Sequence, residues 1–137
     1  MNNAASKFLE HVDALLAGVG ADLPMVMINL LRYRDRAQYP AHSTVDPCSG
    51  SEAYARYSRD AIRFVQAVGG QVVWRGSAKA VVIGPTTERW DDALLVQYPS
   101  KQAFLQMIGN PEYQAITAHR TAALEDSRLI ATVPATP

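Results

Sequence analysis

Few residues in this chain combine a reactive side chain with a setting that would make it useful. Asn29 interrupts the apolar run Met25–Tyr33 (MVMINLLRY). An amide in such a run must find hydrogen-bond partners or cost about 1–3 kcal/mol, so it reads as a ligand-orienting group or as a structural hydrogen bond to a neighbouring loop. Arg75 follows Trp74 in a β-type segment in which the neighbouring Val72 and Val73 are apolar. Its guanidinium is suited to clamping a carboxylate or polarising a carbonyl, and no acid lies near it on the same segment. The packing alternative is an ion pair with a distant acid or a partner subunit. His119, an imidazole, is the one obvious acid–base candidate, here assigned a catalytic role, although a solvent-facing helix histidine fits the same pattern. Arg120 shares helical spacing with Tyr113, Ile116 and Ala123, which turns it inward. Tyr54 and Tyr57 stand one turn apart and either project phenols into a pocket or pack as core; core is favoured for Tyr57. The expected substrate-binding set is Asn29, Tyr54, Arg75 and Arg120.

Several chemistries find no support. His11, His42 and His119 lack ligand spacing and Cys48 is the single cysteine, so no metal site and no internal disulfide are expected. Gly18-Val19-Gly20 follows a helix and precedes a strand, the wrong order for a dinucleotide fingerprint, and no phosphate-binding loop motif occurs. Ser49-Gly50-Ser51 is better read as a helix cap than as a nucleophile. No cofactor is expected. Lysine plus arginine and aspartate plus glutamate number 13 each, so the chain lacks the basic excess by which nucleic-acid binders displace counterions.

These groups must be positioned by a fold, and 137 residues with 48% hydrophobic and 19% charged content are enough for one globular domain. No apolar run approaches the ~20 residues of a membrane-spanning helix. Lys7, Glu10, His11 and Asp13 interrupt any apolar stretch of the leader type, and the expected location is cytoplasmic. A short amphipathic helix is expected from about Ala4 to Ala17. The nearly continuous apolar strand Met25–Tyr33 implies burial on both faces. A long loop, roughly Arg34 to Gly50, has the length of a lid or binding loop. Ser49-Gly50-Ser51-Glu52 forms a capping box for a helix reaching Val68, stopped by Gly69-Gly70.

Gln71–Arg75 and Ala78–Ile83 are β-type segments around Gly76-Ser77, either one bulged strand or a hairpin. Ala93–Tyr98 is a further strand. Pro99-Ser100 opens a helix that breaks at Gly109 and restarts with Asn110 as cap and Pro111 at its first position, reaching about Glu125. Leu129–Val133 is the last strand. The order after the leading helix is βαββαβ, the α+β ferredoxin-like arrangement. Residues 1–24 form the leading helix and linker, 25–133 the domain, and 134–137 a tail. The strands carry too few polar residues for a wet outer face, so a second copy is expected to cover it, giving a two-fold homodimer.

Gly69-Gly70, Arg75-Gly76, Pro99-Ser100, Pro111-Glu112-Tyr113 and Arg120 form a pattern that resembles the family called domain of unknown function 1330, over about Met25 to Val133. The resemblance implies the dimeric α/β-barrel superfamily and supplies no activity of its own. The superfamily includes cofactor-independent monooxygenases, haem-degrading enzymes, muconolactone-isomerase-like proteins and ligand-sensing domains, commonly with a pocket between sheet and helices. The leading expectation is therefore a cofactor-independent enzyme acting on a small carbonyl or carboxylate compound. Its rivals are a noncatalytic ligand-binding or stress-response homodimer and a purely structural interaction domain.

Overall fold

The first strand, β1 (Met25–Tyr33), sets the plan of the molecule in the computed structural model, which describes residues 3–135. Its side chains alternate: Met25, Met27, Asn29 and Leu31 are buried, while Val26, Ile28 and Leu30 are only half-buried. Period-two alternation of this kind means that one face of the sheet meets a covering layer and the other does not. The strand is thus apolar on both faces, as expected, yet only one is buried within the chain.

The remaining elements are α1 (Asn3–Leu15), α2 (Gly50–Ala67), β2 (Gln71–Ser77), β3 (Asp92–Tyr98), α3 (Lys101–Ile108), α4 (Pro111–Ala123) and β4 (Leu124–Thr132). The four strands form one sheet in the order β2-β3-β1-β4, with every neighbouring pair antiparallel. This is the ferredoxin-like α+β topology. The helices pack on the face carrying Met27, Leu94 and Val96, and the main core joins these to Ala61 and Val65 of α2, Phe104 and Met107 of α3, and Tyr113 of α4.

Local signals in the sequence account for the helix limits. Ser49 caps α2 by accepting from the Glu52 amide at 3.1 Å, while Glu52 accepts from the Ser49 amide at 3.0 Å. Gly69 ends the same helix with φ of 83°, a conformation that favours glycine. Ser100 caps α3 through the Ala103 amide, and Asn110 caps α4 with Pro111 next to it.

Two expectations are corrected. Ala78–Ile83 is not a strand: β2 is an edge strand whose partner β3 begins at Asp92, opposite Ser77, so the chain beyond has nothing to pair with. Val82 and Ile83 are instead 90% and 94% exposed in the connection. The real irregularity in β2 is a bulge between Val72 and Trp74. The last helix stops at Ala123 and β4 starts at Leu124, five residues before the expected Leu129. The polar run Glu125-Asp126-Ser127-Arg128 is drawn into the sheet by pairing with Leu30–Arg32 of β1, where tertiary context overrides weak strand propensity.

The 34–49 loop is sewn to the end of α4 and is no lid. The amides of Arg34 and Gln38 donate to the carbonyls of Ala123 and Ala122, each at 2.9 Å, and Ala37 donates to the Cys48 carbonyl at 2.9 Å. Gly50 closes the loop by donating to the Arg34 carbonyl at 3.0 Å. A β-carbon at Gly50 would lie 2.7 Å from the Ala123 carbonyl oxygen and closer still to that of Arg34.

Candidate functional site

Packing four helices on one sheet face leaves a cavity of about 1300 Å³ between them. Met27 and Asn29 of β1, with Leu94 and Val96 of β3, form its floor. Tyr54, Tyr57, Ala61 and Val65 of α2 form one wall, and Tyr113, Thr117 and Arg120 of α4 another. Phe104, Met107 and Ile108 of α3 close the apolar end together with Phe8, Val12 and Leu15 of α1. The leading helix is therefore part of the site. It is held there by Leu9, which packs on the core beside Gly109, and by the Lys101 ammonium donating to the Leu16 carbonyl at 3.3 Å.

Four of the expected residues, Asn29, Tyr54, Arg75 and Arg120, line this one cavity. The alternation of β1 buries Asn29, whose side-chain nitrogen donates to the Leu94 carbonyl across the strand pair at a long 3.4 Å. Arg75 lies opposite Leu94 on β2. Its guanidinium reaches the Asp92 carboxylate at 3.3 Å and the Tyr33 hydroxyl at 3.4 Å, and stacks over the Tyr54 ring at 5.6 Å. The Tyr33 hydroxyl donates in turn to Asp92. Burial, then the hydrogen bond to Asp92, pushes the Tyr33 phenol well above its ordinary range.

His119 is turned elsewhere. Its Nδ1 is 2.6 Å from the Tyr39 hydroxyl, on the side of α4 that faces the 34–49 loop, and it is not among the residues lining the cavity. His11 of α1 does line it, at an exposed position on the rim.

The tyrosines that the sequence reading assigned partly to the core make up much of the wall. The Tyr57 and Tyr113 hydroxyls are 2.6 Å apart. Burial raises the phenols of Tyr54, Tyr57 and Tyr113, and the Arg120 charge opposes the rise at all three. All three stay protonated at physiological pH and can donate a hydrogen bond. Helical spacing from Arg120 and the Pro111-Glu112-Tyr113 element of the family pattern both include Tyr113.

Among the described residues no group of three or more His, Cys, Asp and Glu is placed to hold a metal ion. No helix there is long and apolar enough to cross a membrane.

The model of the family described as a domain of unknown function (DUF1330) matches residues 43–133. The chain belongs to the DUF1330 family. The match begins within the first long loop, so α1 and β1 lie outside it, although β1 supplies the cavity floor. The crystal structure of RPA0582, a protein of unknown function from Rhodopseudomonas palustris, is 42% identical; the alignment covers 93% of this chain and 95% of that one, with a TM-score of 0.82. Two more distant structures share the fold. One is a dabb family protein with a ferredoxin-like fold from Mesorhizobium loti, 14% identical over 83% of this chain and 99% of that one, with a TM-score of 0.50. The other is a hydroxynitrile lyase from Passiflora edulis, 9% identical over 85% and 97%, with a TM-score of 0.54. No curated protein matches this DUF1330 chain.

Proposed function

We propose that this protein is a homodimer whose subunits each bind a small molecule with a mostly apolar body in the cavity between sheet and helices. The observation that carries the reading is the cavity itself. Its far end and, apart from Asn29, its floor are apolar, and a few polar groups converge at the other end, the usual composition of a ligand site. At about 1300 Å³ it exceeds the roughly 300–1,000 Å³ usual for small-molecule pockets, which leaves room for a larger body than the small carbonyl or carboxylate compound expected from the sequence. The homodimer rests on the bare sheet face, where Ile28, Leu30, Leu95 and Ile130 have no covering layer. The buried, unpaired Cys48 supports a reducing, cytoplasmic setting.

Catalysis without a cofactor is a second reading, favoured by the Tyr57–Tyr113 pair beside Arg120. Neutral phenols and a guanidinium together donate a proton or hydrogen bond to a carbonyl oxygen and stabilise charge developing on it. Among the described residues the interior offers no matching base, since His119 points away and His11 stands at the rim. Binding is therefore the stronger conclusion.

The neutral fluorophore N-phenyl-1-naphthylamine tests it. Saturable enhancement at one site per chain is expected, weakened several-fold by Val72→Trp, which places an indole into the cavity from the edge strand without entering the core. Fluorescence that rises without saturation, or that ignores Val72→Trp, overturns the reading.

A further inference from the structure

We propose that the cavity takes a monocarboxylate with a long apolar body, its carboxylate received by Arg120 and the Tyr54 hydroxyl and its body directed toward α3 and α1. This rests on the reading of the cavity as a small-molecule site, and it adds the ligand's charge, polarity and direction.

Charge is the first argument. Arg59, Arg75 and Arg120 line the cavity, His11 stands at its rim, and no aspartate or glutamate is among the lining residues. Arg75 is already committed to Asp92 at 3.3 Å, and Arg59 is exposed on α2. Arg120 is half-buried on α4 and makes no hydrogen bond or ion pair with any described residue. Half-buried at the cavity wall and uncommitted, it is free to receive an anion there.

The second argument is a hydroxyl without a partner. The phenols of Tyr33, Tyr39, Tyr57, Tyr98 and Tyr113 all find one, respectively in Asp92, His119, Tyr113, Met107 and Tyr57. Tyr54 is 2% exposed, lines the cavity and makes no hydrogen bond with any described residue. The Tyr54 hydroxyl opens on the cavity and, with the unpaired Arg120 guanidinium whose charge acts on it, is placed to donate to a ligand's acceptors. The Asn29 amide, held only by the long 3.4 Å bond to Leu94, is a third donor within the same end.

The acceptor these donors fit is a carboxylate. One free guanidinium presents a planar fork that matches two coplanar oxygens, whereas a phosphate monoester brings nearly two charges and calls for a second uncommitted cation. The direction follows from the walls. Away from Arg120 the cavity meets Val65, Val96, Phe104, Met107 and Ile108, and then Phe8 and Leu15 of α1, with no charged side chain in that group.

Displacement of N-phenyl-1-naphthylamine at pH 8 by decanoate, 1-decanol and decyltrimethylammonium, all below their micellar concentrations, separates the possibilities. Decanoate is expected to displace the probe at roughly tenfold lower concentration than decanol, with the cation weakest. Arg120→Gln should erase this preference and leave decanol unchanged, and Tyr54→Phe, which removes one hydroxyl only, should reduce it. Equal displacement by acid and alcohol in the wild type overturns the carboxylate while leaving the cavity reading intact. A probe that never binds overturns the cavity reading and this inference with it. A preference that survives both Tyr54→Phe and Arg120→Gln, or Tyr54→Phe alone where the arginine variant does not fold, overturns the placement.

Discussion

Arg75 and Asp92 face each other diagonally across the β2–β3 pair, guanidinium to carboxylate at 3.3 Å, on the sheet face that carries the cavity. The arginine side chain is 45% exposed and the aspartate 18%. Asp92 also accepts from the Tyr33 hydroxyl, so one carboxylate gathers a strand β1 phenol and a strand β2 cation. The counter-charge missing from Arg75's own strand comes from its neighbour, at the diagonal position where long side chains meet.

Arg75→Met is therefore expected to act on stability. The pair lies between an exposed ion pair, worth about 0–1 kcal/mol, and a buried one whose disruption costs about 3–5 kcal/mol. Because Tyr33 remains to hold Asp92, a loss of about 1–2 kcal/mol in urea unfolding is expected, and Asp92→Asn should cost a similar amount. The double variant should lose little more than either single one, the signature of a shared interaction. Additive losses would show that the two side chains act independently.

This pair also marks where reading the sequence stops. The Ser49–Glu52 capping box, Gly69, Asn110-Pro111 and the apolar run Met25–Tyr33 are local signals, and each marks an element boundary or strand at its expected place. The partner of Arg75 lies 17 residues away, and the strand Leu124–Arg128 owes its conformation to pairing with β1. Neither is written in the neighbouring residues. The exposed run Val81-Val82-Ile83 shows the converse: strong β propensity produces no strand where the adjacent strand has ended. For the site, helical spacing brought Arg120 and Tyr113 to one face, but which face of α4 His119 occupies depended on the 34–49 loop that holds Tyr39 against it. The role of α1 as a cavity wall left no trace in its own residues beyond an apolar stripe.

Buried phenols give the fold a sensitivity to alkali. Burial raises the pKa of Tyr33, Tyr54, Tyr57, Tyr98 and Tyr113 above the ordinary value near 10. A raised folded pKa means that the folded state holds the proton more tightly. The associated stability is fully present below the unfolded phenol's pKa and is lost as pH rises from there through the folded value. The urea midpoint should thus stay level in this respect up to about pH 9.5 and fall steeply beyond pH 10. These five phenols should show tyrosinate absorbance only as the protein unfolds. Their ionisation in a protein that keeps its folded circular dichroism would contradict the burial.

Gly50 is the most closely confined of the described glycines, at the point where α2, the 34–49 loop and the end of α4 meet. A methyl group there would meet the carbonyl oxygens of both Arg34 and Ala123, backbone atoms already fixed by hydrogen bonds. Gly50→Ala should cost about 3 kcal/mol or more, at the upper end of overpacking penalties, although alanine is the better helix former. A melt close to that of the unmodified protein would show that the loop yields easily. It would then weaken the conclusion that the loop is a fixed wall behind α4.

The bare face of the sheet supplies the last prediction. Ile28, Leu30 and Leu95 sit half-buried there, Ile130 is 48% exposed and Trp74 61% exposed, with no helix above them. Fully covering an isoleucine of this kind is worth about 1.5–3 kcal/mol, and a two-fold axis counts every such residue twice. Sedimentation at micromolar concentration should therefore give about twice the chain mass. Ile130→Glu should shift it to the single-chain mass, because dimerisation would then bury two unpaired carboxylates close together. The same substitution in a chain that never dimerises would replace a half-exposed isoleucine and change little. A wild type that sediments as a single chain at those concentrations, with Ile130→Glu unaltered in mass and melt, would mean that this face meets water or something other than its own copy.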